Sequence, residues 1–178
     1  FWTYGKDLPD YQQLANYEPP VVTRIHAGNG ALLAEYASEK RLFVPVEAIP
    51  LRMIHAFVSA EDKAFYNHFG IDLRALARAV VTNIVNYGKG RRPVGASTIT
   101  QQVTKNFLLT NEVSINRKIK EAILSLRMER AFSKDQIFAL YLNEIYLGRG
   151  SYGVAAAALN YFDKSLGQLE LPEIAYLA

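Results

Sequence analysis

The sequence contains no cysteine, which excludes disulfides and thiolate metal sites and leaves the redox compartment open. No apolar run approaches the roughly 18 residues of a membrane-spanning helix, and no signal-peptide pattern is present. Charge of one sign is also scarce: the net charge of +3 does not suggest a general nucleic-acid binder. The pI near 9.1 instead reflects local basic clusters such as Lys89, Arg91 and Arg92 in a Gly-rich loop. Such a cluster is most often a solvated loop, though it also suits an anionic membrane surface or a phosphate. There is no internal repeat and no low-complexity tract.

What is present is a chain of 178 residues, 50% hydrophobic and 21% charged, which suits one globular domain with a sizeable core. It opens on Phe1-Trp2-Thr3-Tyr4, an aromatic cluster of the kind found at membrane interfaces. It starts without Met and stops mid-pattern at Leu177-Ala178, as an excised domain would. Residues 1–20 read as a polar juxtamembrane lead-in closing on Glu18-Pro19-Pro20. Extended segments Val21–His26 and Ala31–Ala37, joined by Ala27-Gly28-Asn29-Gly30, predict a β-hairpin. Leu42–Val46 would add a third strand, making 21–49 a small β region.

From residue 50 to 178 the period is helical. Pro50 suits a first helical turn, and Gly70 closes the segment that follows. Further helices are predicted over about 73–87, from Ser97 or Thr98 onward, over about 116–130, from a Ser133-x-x-Gln136 capping box to Tyr146, and over 151–161 and 173–178. The expected fold is mainly α, with a small N-terminal β-hairpin region.

On the first helix Ile54, Phe57, Val58, Glu61 and Phe65 fall on one face, with Asp62 beside it. An acid in a buried stripe loses water on folding, so Glu61 is expected to have a raised pKa suited to proton uptake. A snorkelling or Arg-paired Glu is an equal alternative on this helix alone. His68, seven residues on, would orient Glu61 or simply sit satisfied in the core. In Gly95-Ala96-Ser97-Thr98-Ile99-Thr100-Gln101-Gln102, residues Thr98, Gln101, Gln102 and Lys105 share a face. Thr98-x-x-Gln101 is also a capping box, yet hydroxyls, amides and free N–H groups suit sugar and phosphate, so a polar groove is favoured. On the fourth helix Ile119, Ala122, Ile123 and Leu126 form an apolar stripe. Arg117, Glu121, Leu124 and Met128 form a second, with Lys118 near: either an ion pair worth a few tenths of a kcal/mol or a charged cleft wall. Lys134, Tyr141 and Asn143 lie among apolar residues and read first as structural support.

In this order the segments resemble the peptidoglycan glycosyltransferases (glycosyltransferase family 51), found as monofunctional enzymes and as the N-terminal domain of class A penicillin-binding proteins. Glu61-Asp62-x-x-Phe65-x-x-His68-x-Gly70 matches the first family signature, and Gly95-x-Ser97-Thr98-Ile99-Thr100-Gln101-Gln102 the second. Arg117-Lys118-x-x-Glu121 matches the third and Lys134-x-x-Ile137-x-x-x-Tyr141-x-Asn143 the fourth. Leu14-Ala15-Asn16-Tyr17-Glu18-Pro19-Pro20 and the hairpin narrow the likeness to one branch of that family. Two departures stand out. The Arg-rich fifth motif is expected beyond Ala178, and Val113 stands where many relatives carry an Arg, so the resemblance does not carry over one phosphate contact. The transpeptidase signatures Ser-x-x-Lys and Lys-Thr-Gly are absent, so no penicillin binding is expected of this stretch.

The resemblance implies a lysozyme-like helical fold and polymerisation of lipid II into glycan strands by inverting β-1,4 transfer. It implies Glu61 as general base, with Glu121 also in the catalytic set, holding cations or binding near the pyrophosphate. It implies substrate contacts from Asp62, His68, Ser97, Thr98, Gln101, Gln102, Lys105, Arg117 and Lys118, with Mg²⁺ or Mn²⁺ as helper on unknown ligands. Partners would be lipid II, the growing strand, the membrane surface and other cell-wall synthesis proteins, at the periplasmic face of a bacterial inner membrane. The second helix (Leu76, Val80, Val81, Ile84, Val85) would dip into that membrane or be core. Rival functions are a lysozyme-like muramidase, which also uses a buried Glu, and a non-catalytic module that binds lipid-linked glycan.

Overall fold

A computed structural model describes residues 8–10, 14, 23–29, 32–36, 40–109 and 114–178. The aromatic cluster at Phe1–Tyr4, the segment Ala15–Pro20 and Val113 therefore lie outside the described residues. Among these described residues α-helices dominate: α1 Leu51–Glu61, α2 Leu73–Val85, α3 Ile99–Leu108, α4 Ile115–Ala131, α5 Lys134–Glu144, α6 Val154–Phe162 and α7 Leu171–Leu177. The short strands among them are β1 Thr23–His26, β2 Leu32–Tyr36, β3 Lys40–Arg41 and β4 Ser151–Tyr152. The fold is mainly α, as the sequence predicts. Residue contacts divide the chain into two compact units, one of residues 1–15 with 58–138 and the other of 16–57 with 139–178.

The first unit is built on the polar ends of its helices. Asp72 caps α2, accepting from the backbone N–H of Arg74 and Ala75, both at 2.9 Å. Thr98 and Gln101 form the predicted capping box at the start of α3, and Ser133 and Gln136 form the other before α5. Ser114 caps α4 by accepting from the Arg117 N–H at 3.1 Å. The core of this unit holds Phe65, Ile99, Val103, Leu124, Met128, Ile137 and Phe138. On α4 the buried face is the mixed stripe, Glu121, Leu124, Ser125 and Met128, while of Ile119, Ala122, Ile123 and Leu126 only Ile123 is buried.

In the second unit β1 and β2 pair antiparallel, with a bulge between Ile25 and His26, as the hairpin signal predicts. The expected third strand at Leu42–Val46 does not form. Its place is taken by β3, which pairs parallel with β4. Val44 instead gives its N–H to Asn143 Oδ1 and its carbonyl to Asn143 Nδ2, both at 2.8 Å, which satisfies the backbone without a strand partner. α5 stops at Glu144 rather than Tyr146, because Tyr146 bridges to Tyr152 and Leu147 N–H bonds the Ser151 carbonyl. Likewise α6 begins at Val154, after β4 and Gly153, whose φ of +81° and approach to the Asn143 carbonyl leave no room for a Cβ.

Candidate active site

α1 ends at Glu61, and the chain then tightens through a 3₁₀ turn at Phe65–Asn67. This break corrects the expected buried stripe. Phe57 and Phe65 are fully buried, but Phe65 is no longer on the helix, and Glu61, on its last turn, is exposed. The dry position predicted for Glu61 belongs to Asp62, which is 7% exposed. Asp62 Oδ2 accepts from the Ile99 N–H at 3.1 Å, in the first turn of α3. His68 Nε2 lies 2.9 and 3.1 Å from the two Asp62 oxygens. His68 therefore orients Asp62, not Glu61. A buried carboxylate needs such donors, and a helix N-terminus supplies one with its dipole. Among the described residues His68 Nδ1, buried, finds no partner.

The clamp continues through Gly70, whose carbonyl accepts from Thr98 Oγ1 at 2.6 Å. Thr98 and Gln101 are both buried and are occupied by the cap: Gln101 Oε1 accepts from the Thr98 N–H at 3.0 Å. Gln101, expected among the substrate contacts and as half of a capping box, has its amide oxygen on the helix start. Gln102, one residue on, turns outward and its Nε2 donates to Glu61 Oε2 at 2.8 Å.

Glu61 lines a cleft of about 330 Å³ together with Asp62, Lys63, Arg78, Gly95, Ala96, Ser97 and Thr98. Lys105 and Arg117, expected among the substrate contacts, are not among its lining residues. The third cation does reach the wall: Lys118 Nζ donates to Ser97 Oγ at 2.8 Å and also pairs with Glu121 Oε1. Glu121 thus pairs with Lys118 rather than with Arg117, and it is only 1% exposed. Its Oε2 and the Arg117 Nε are buried and, among the described residues, without partners. Lys105 is exposed.

Lys63 and Arg78 were missed in the sequence. Arg78 follows Ala75 at i+3 on α2, and both line the cleft, a fact that only the placement of α2 reveals. Glu129 was also missed. Its Oε1 accepts from Thr100 Oγ1 at 2.5 Å and from Lys134 Nζ at 2.7 Å, and Lys134 lies 4.4 Å from the Phe65 ring centroid. The signal was available, because Glu129 continues the Glu121–Ser125 spacing of α4. In the second unit Tyr141 meets Phe57 edge-on, with ring centroids 6.2 Å apart, and Asn143 braces Val44 as described above.

The donors do not suit a divalent ion held by protein alone. Among the described residues no three His, Asp or Glu side chains come together for one. Glu61 is engaged by Gln102 and Glu121 by Lys118, so no step below passes through a metal.

α2 differs from every other wall of the cleft. Leu73, Leu76, Val80, Val81, Ile84 and Val85 are exposed, and only Ala79 is buried. No helix among the described residues is long and apolar enough to cross a membrane.

A family model described as Transglycosylase matches residues 29–178. The chain is 60% identical over 175 residues to a penicillin-binding protein 1A of Rickettsia felis, covering 98% of this chain and 22% of that protein. It is 48% identical over 173 residues to one of Aquifex aeolicus, covering 97% of this chain and 23% of the relative. Against one of Neisseria flavescens the identity is 43% over 176 residues, 99% of this chain and 22% of the relative. The chain thus spans less than a quarter of the length of these relatives.

Proposed function

This chain belongs to the transglycosylase family, and on that premise we propose that it polymerises lipid II into peptidoglycan glycan strands. The observation that carries the proposal is the composition of one cleft: a solvent-reachable carboxylate, Glu61, with Lys63, Arg78 and the Ser97–Thr98 helix start along the same walls. Glu61 removes the proton from the acceptor GlcNAc 4-hydroxyl. That oxygen forms a bond to the donor's anomeric carbon from the face opposite the lipid pyrophosphate, and the C–O bond to the pyrophosphate breaks. The α-linked donor becomes a β-1,4 product, the proton stays on Glu61, and the lipid pyrophosphate leaves as an anion.

A departing diphosphate needs counter-charge rather than a proton. Lys118 is the cation of the third motif that bonds a residue of the cleft wall, Ser97, with Lys63 and Arg78 on the lining itself. Glu121 fixes Lys118 from behind, while Lys105 and Arg117 extend the positive field outside the described cleft. The exposed apolar face of α2 rests on the membrane that carries the lipid substrate. On this reading the cleft works at the membrane surface, on the periplasmic side in a bacterial cell.

The test is polymerisation of lipid II by the parent and by Glu61→Gln. General-base catalysis contributes about 10²–10⁴-fold, so the variant should lose that much while its thermal unfolding is unchanged. A variant that polymerises at near the parent rate overturns the assignment. Polymeric glycan serves as the second substrate: its cleavage would favour the muramidase instead. A full-length relative-sized protein that binds lipid II without turnover would favour a binding module.

A further inference from the structure

The proposed transfer gives no task to the basic loop that follows α2. From Leu73 to Ala96 the chain carries five cations, Arg74, Arg78, Lys89, Arg91 and Arg92, and no acid, whereas the whole chain has a net charge of only +3. We infer that this loop, together with the border of α2, binds anionic phospholipid headgroups, so that the protein docks on a negatively charged bilayer in preference to a neutral one. The inference rests on α2 facing the membrane.

Placement carries it. At about 100° per residue, Leu73, Leu76, Val80, Val81, Ile84 and Val85 share one broad exposed face of α2. Arg74 and Arg78, both exposed, follow one border of that face, and Asn83 lies on the opposite border. Beyond Val85 the chain turns at once. Gly88 and Gly90 take φ of +77° and +65°, and the Lys89 N–H bonds the Asn86 carbonyl at 3.0 Å. Asn83 fastens the far end of the loop: its Nδ2 donates to the Val94 carbonyl at 3.1 Å, and its Oδ1 accepts from the Val94 N–H at 2.7 Å. Lys89, Arg91 and Arg92 are thereby confined beside the C-terminal end of the apolar face. Tyr87, 91% exposed, stands between them and the helix in the chain.

The chemistry selects the partner. The three loop cations are exposed, and among the described residues none of the five cations forms a salt bridge. A free phosphate or a nucleic acid would meet these charges but leave six large apolar side chains in water. An anionic bilayer meets both. The apolar face enters the acyl boundary, while the cations stay at the level of the phosphates on their long stems. Tyr87 suits the same depth, with its ring toward lipid and its hydroxyl toward water. Each Lys or Arg near an anionic surface strengthens binding about fivefold, so the three loop cations together contribute about 100-fold.

The experiment measures binding to vesicles of phosphatidylcholine alone and to vesicles with about one-third phosphatidylglycerol, at about 0.1 M salt. The parent should bind the mixed vesicles at least about 100-fold more tightly, and about 1 M salt should erase the difference. Lys89→Gln, Arg91→Gln and Arg92→Gln combined should lose about 100-fold on the mixed vesicles and stay within about twofold on neutral ones. In detergent micelles the same triple variant should polymerise lipid II with the parent's kcat and KM. Equal binding of both vesicles by the parent, or unchanged anionic binding by the triple variant, overturns the headgroup site and leaves α2 on the membrane. A raised KM in micelles would show that the loop grips the pyrophosphate of the substrate, and overturns it too. A parent that binds neither vesicle overturns the membrane reading of α2 and the site with it, so the failures are distinguishable.

Discussion

α2 and α3 belong to the same compact unit and meet water in opposite ways. α2 has 13 residues and buries only Ala79. α3 has 10 and buries Ile99, Thr100, Gln101, Val103 and Thr104. The difference does not lie in apolar content. α2 carries Leu73, Leu76, Val80, Val81, Ile84 and Val85, yet holds them outward. In α3 even the threonines are inside, because each hydroxyl has a partner: Thr100 on Glu129, Thr104 on the Gln101 carbonyl and on Ser125 Oγ. Polar pairing, not hydrophobicity alone, decides which helix is fixed in place. α3 is the buried side of the cleft, and α2 leaves its apolar face exposed.

Removing the room on which the α3 clamp depends should give the largest effect. Gly70 has φ +78°, and a Cβ there would lie 2.8 Å from the Ser125 carbonyl oxygen. Gly70→Ala combines the left-handed penalty with a backbone clash, about 3 kcal/mol or more in all. Urea unfolding should register that loss, and transferase activity should fall at temperatures where the parent is fully folded. A stability within about 0.5 kcal/mol of the parent would mean that α3 is not held through Gly70.

The converse change on α2 should spare stability and alter location. Val81 and Val85 are 60% and 58% exposed, so Val81→Ser with Val85→Ser removes little that folding buries, and unfolding should shift by less than about 0.5 kcal/mol per site. Vesicle binding should weaken by about 2 kcal/mol, near 30-fold, if both side chains enter lipid. Unchanged co-sedimentation with liposomes would remove the membrane role of α2.

The same contrast explains what was legible in the sequence. Both capping boxes, at Thr98–Gln101 and Ser133–Gln136, were visible because the bonds span three residues and need no tertiary partner. The hairpin was visible for the same reason. Glu61 was misjudged because periodicity was carried past the end of its helix: α1 stops there, and Phe65 reaches the core from a 3₁₀ turn. The acid that is buried, Asp62, is one residue off the stripe, and its partner Ile99 N–H is 37 residues away. Arg78 was hidden for want of any local signature, since its role depends on where α2 lies beside the cleft. The exposure of α2 was open to two readings, because an apolar face has one period whether it meets protein or lipid.

The smallest expected effect concerns how α2 begins. Asp72 has its carboxyl below the ordinary value of 3.8, chiefly because the Ala75 N–H bonds the ionised form, with the Arg74 N–H and the charges of His68 and Arg78 adding to it against the cost of burial. A carboxyl that titrates lower in the folded chain than in the unfolded chain contributes stability above the unfolded value. That contribution fades as pH falls through the folded value. At pH 7, Asp72→Ala should cost about 1 kcal/mol, the usual worth of an N-cap. The gap between parent and variant should close in acid, as the parent's carboxyl takes up its proton. Asp72→Asn separates the cap from the charge: an amide oxygen still accepts from Arg74 and Ala75, so most of the stability at pH 7 should remain, but the acid dependence should disappear. Urea unfolding of the three proteins across pH 2–7 measures both effects. An Asp72→Ala deficit that stays constant down to the lowest pH would show that the cap's contribution does not depend on the ionised carboxylate.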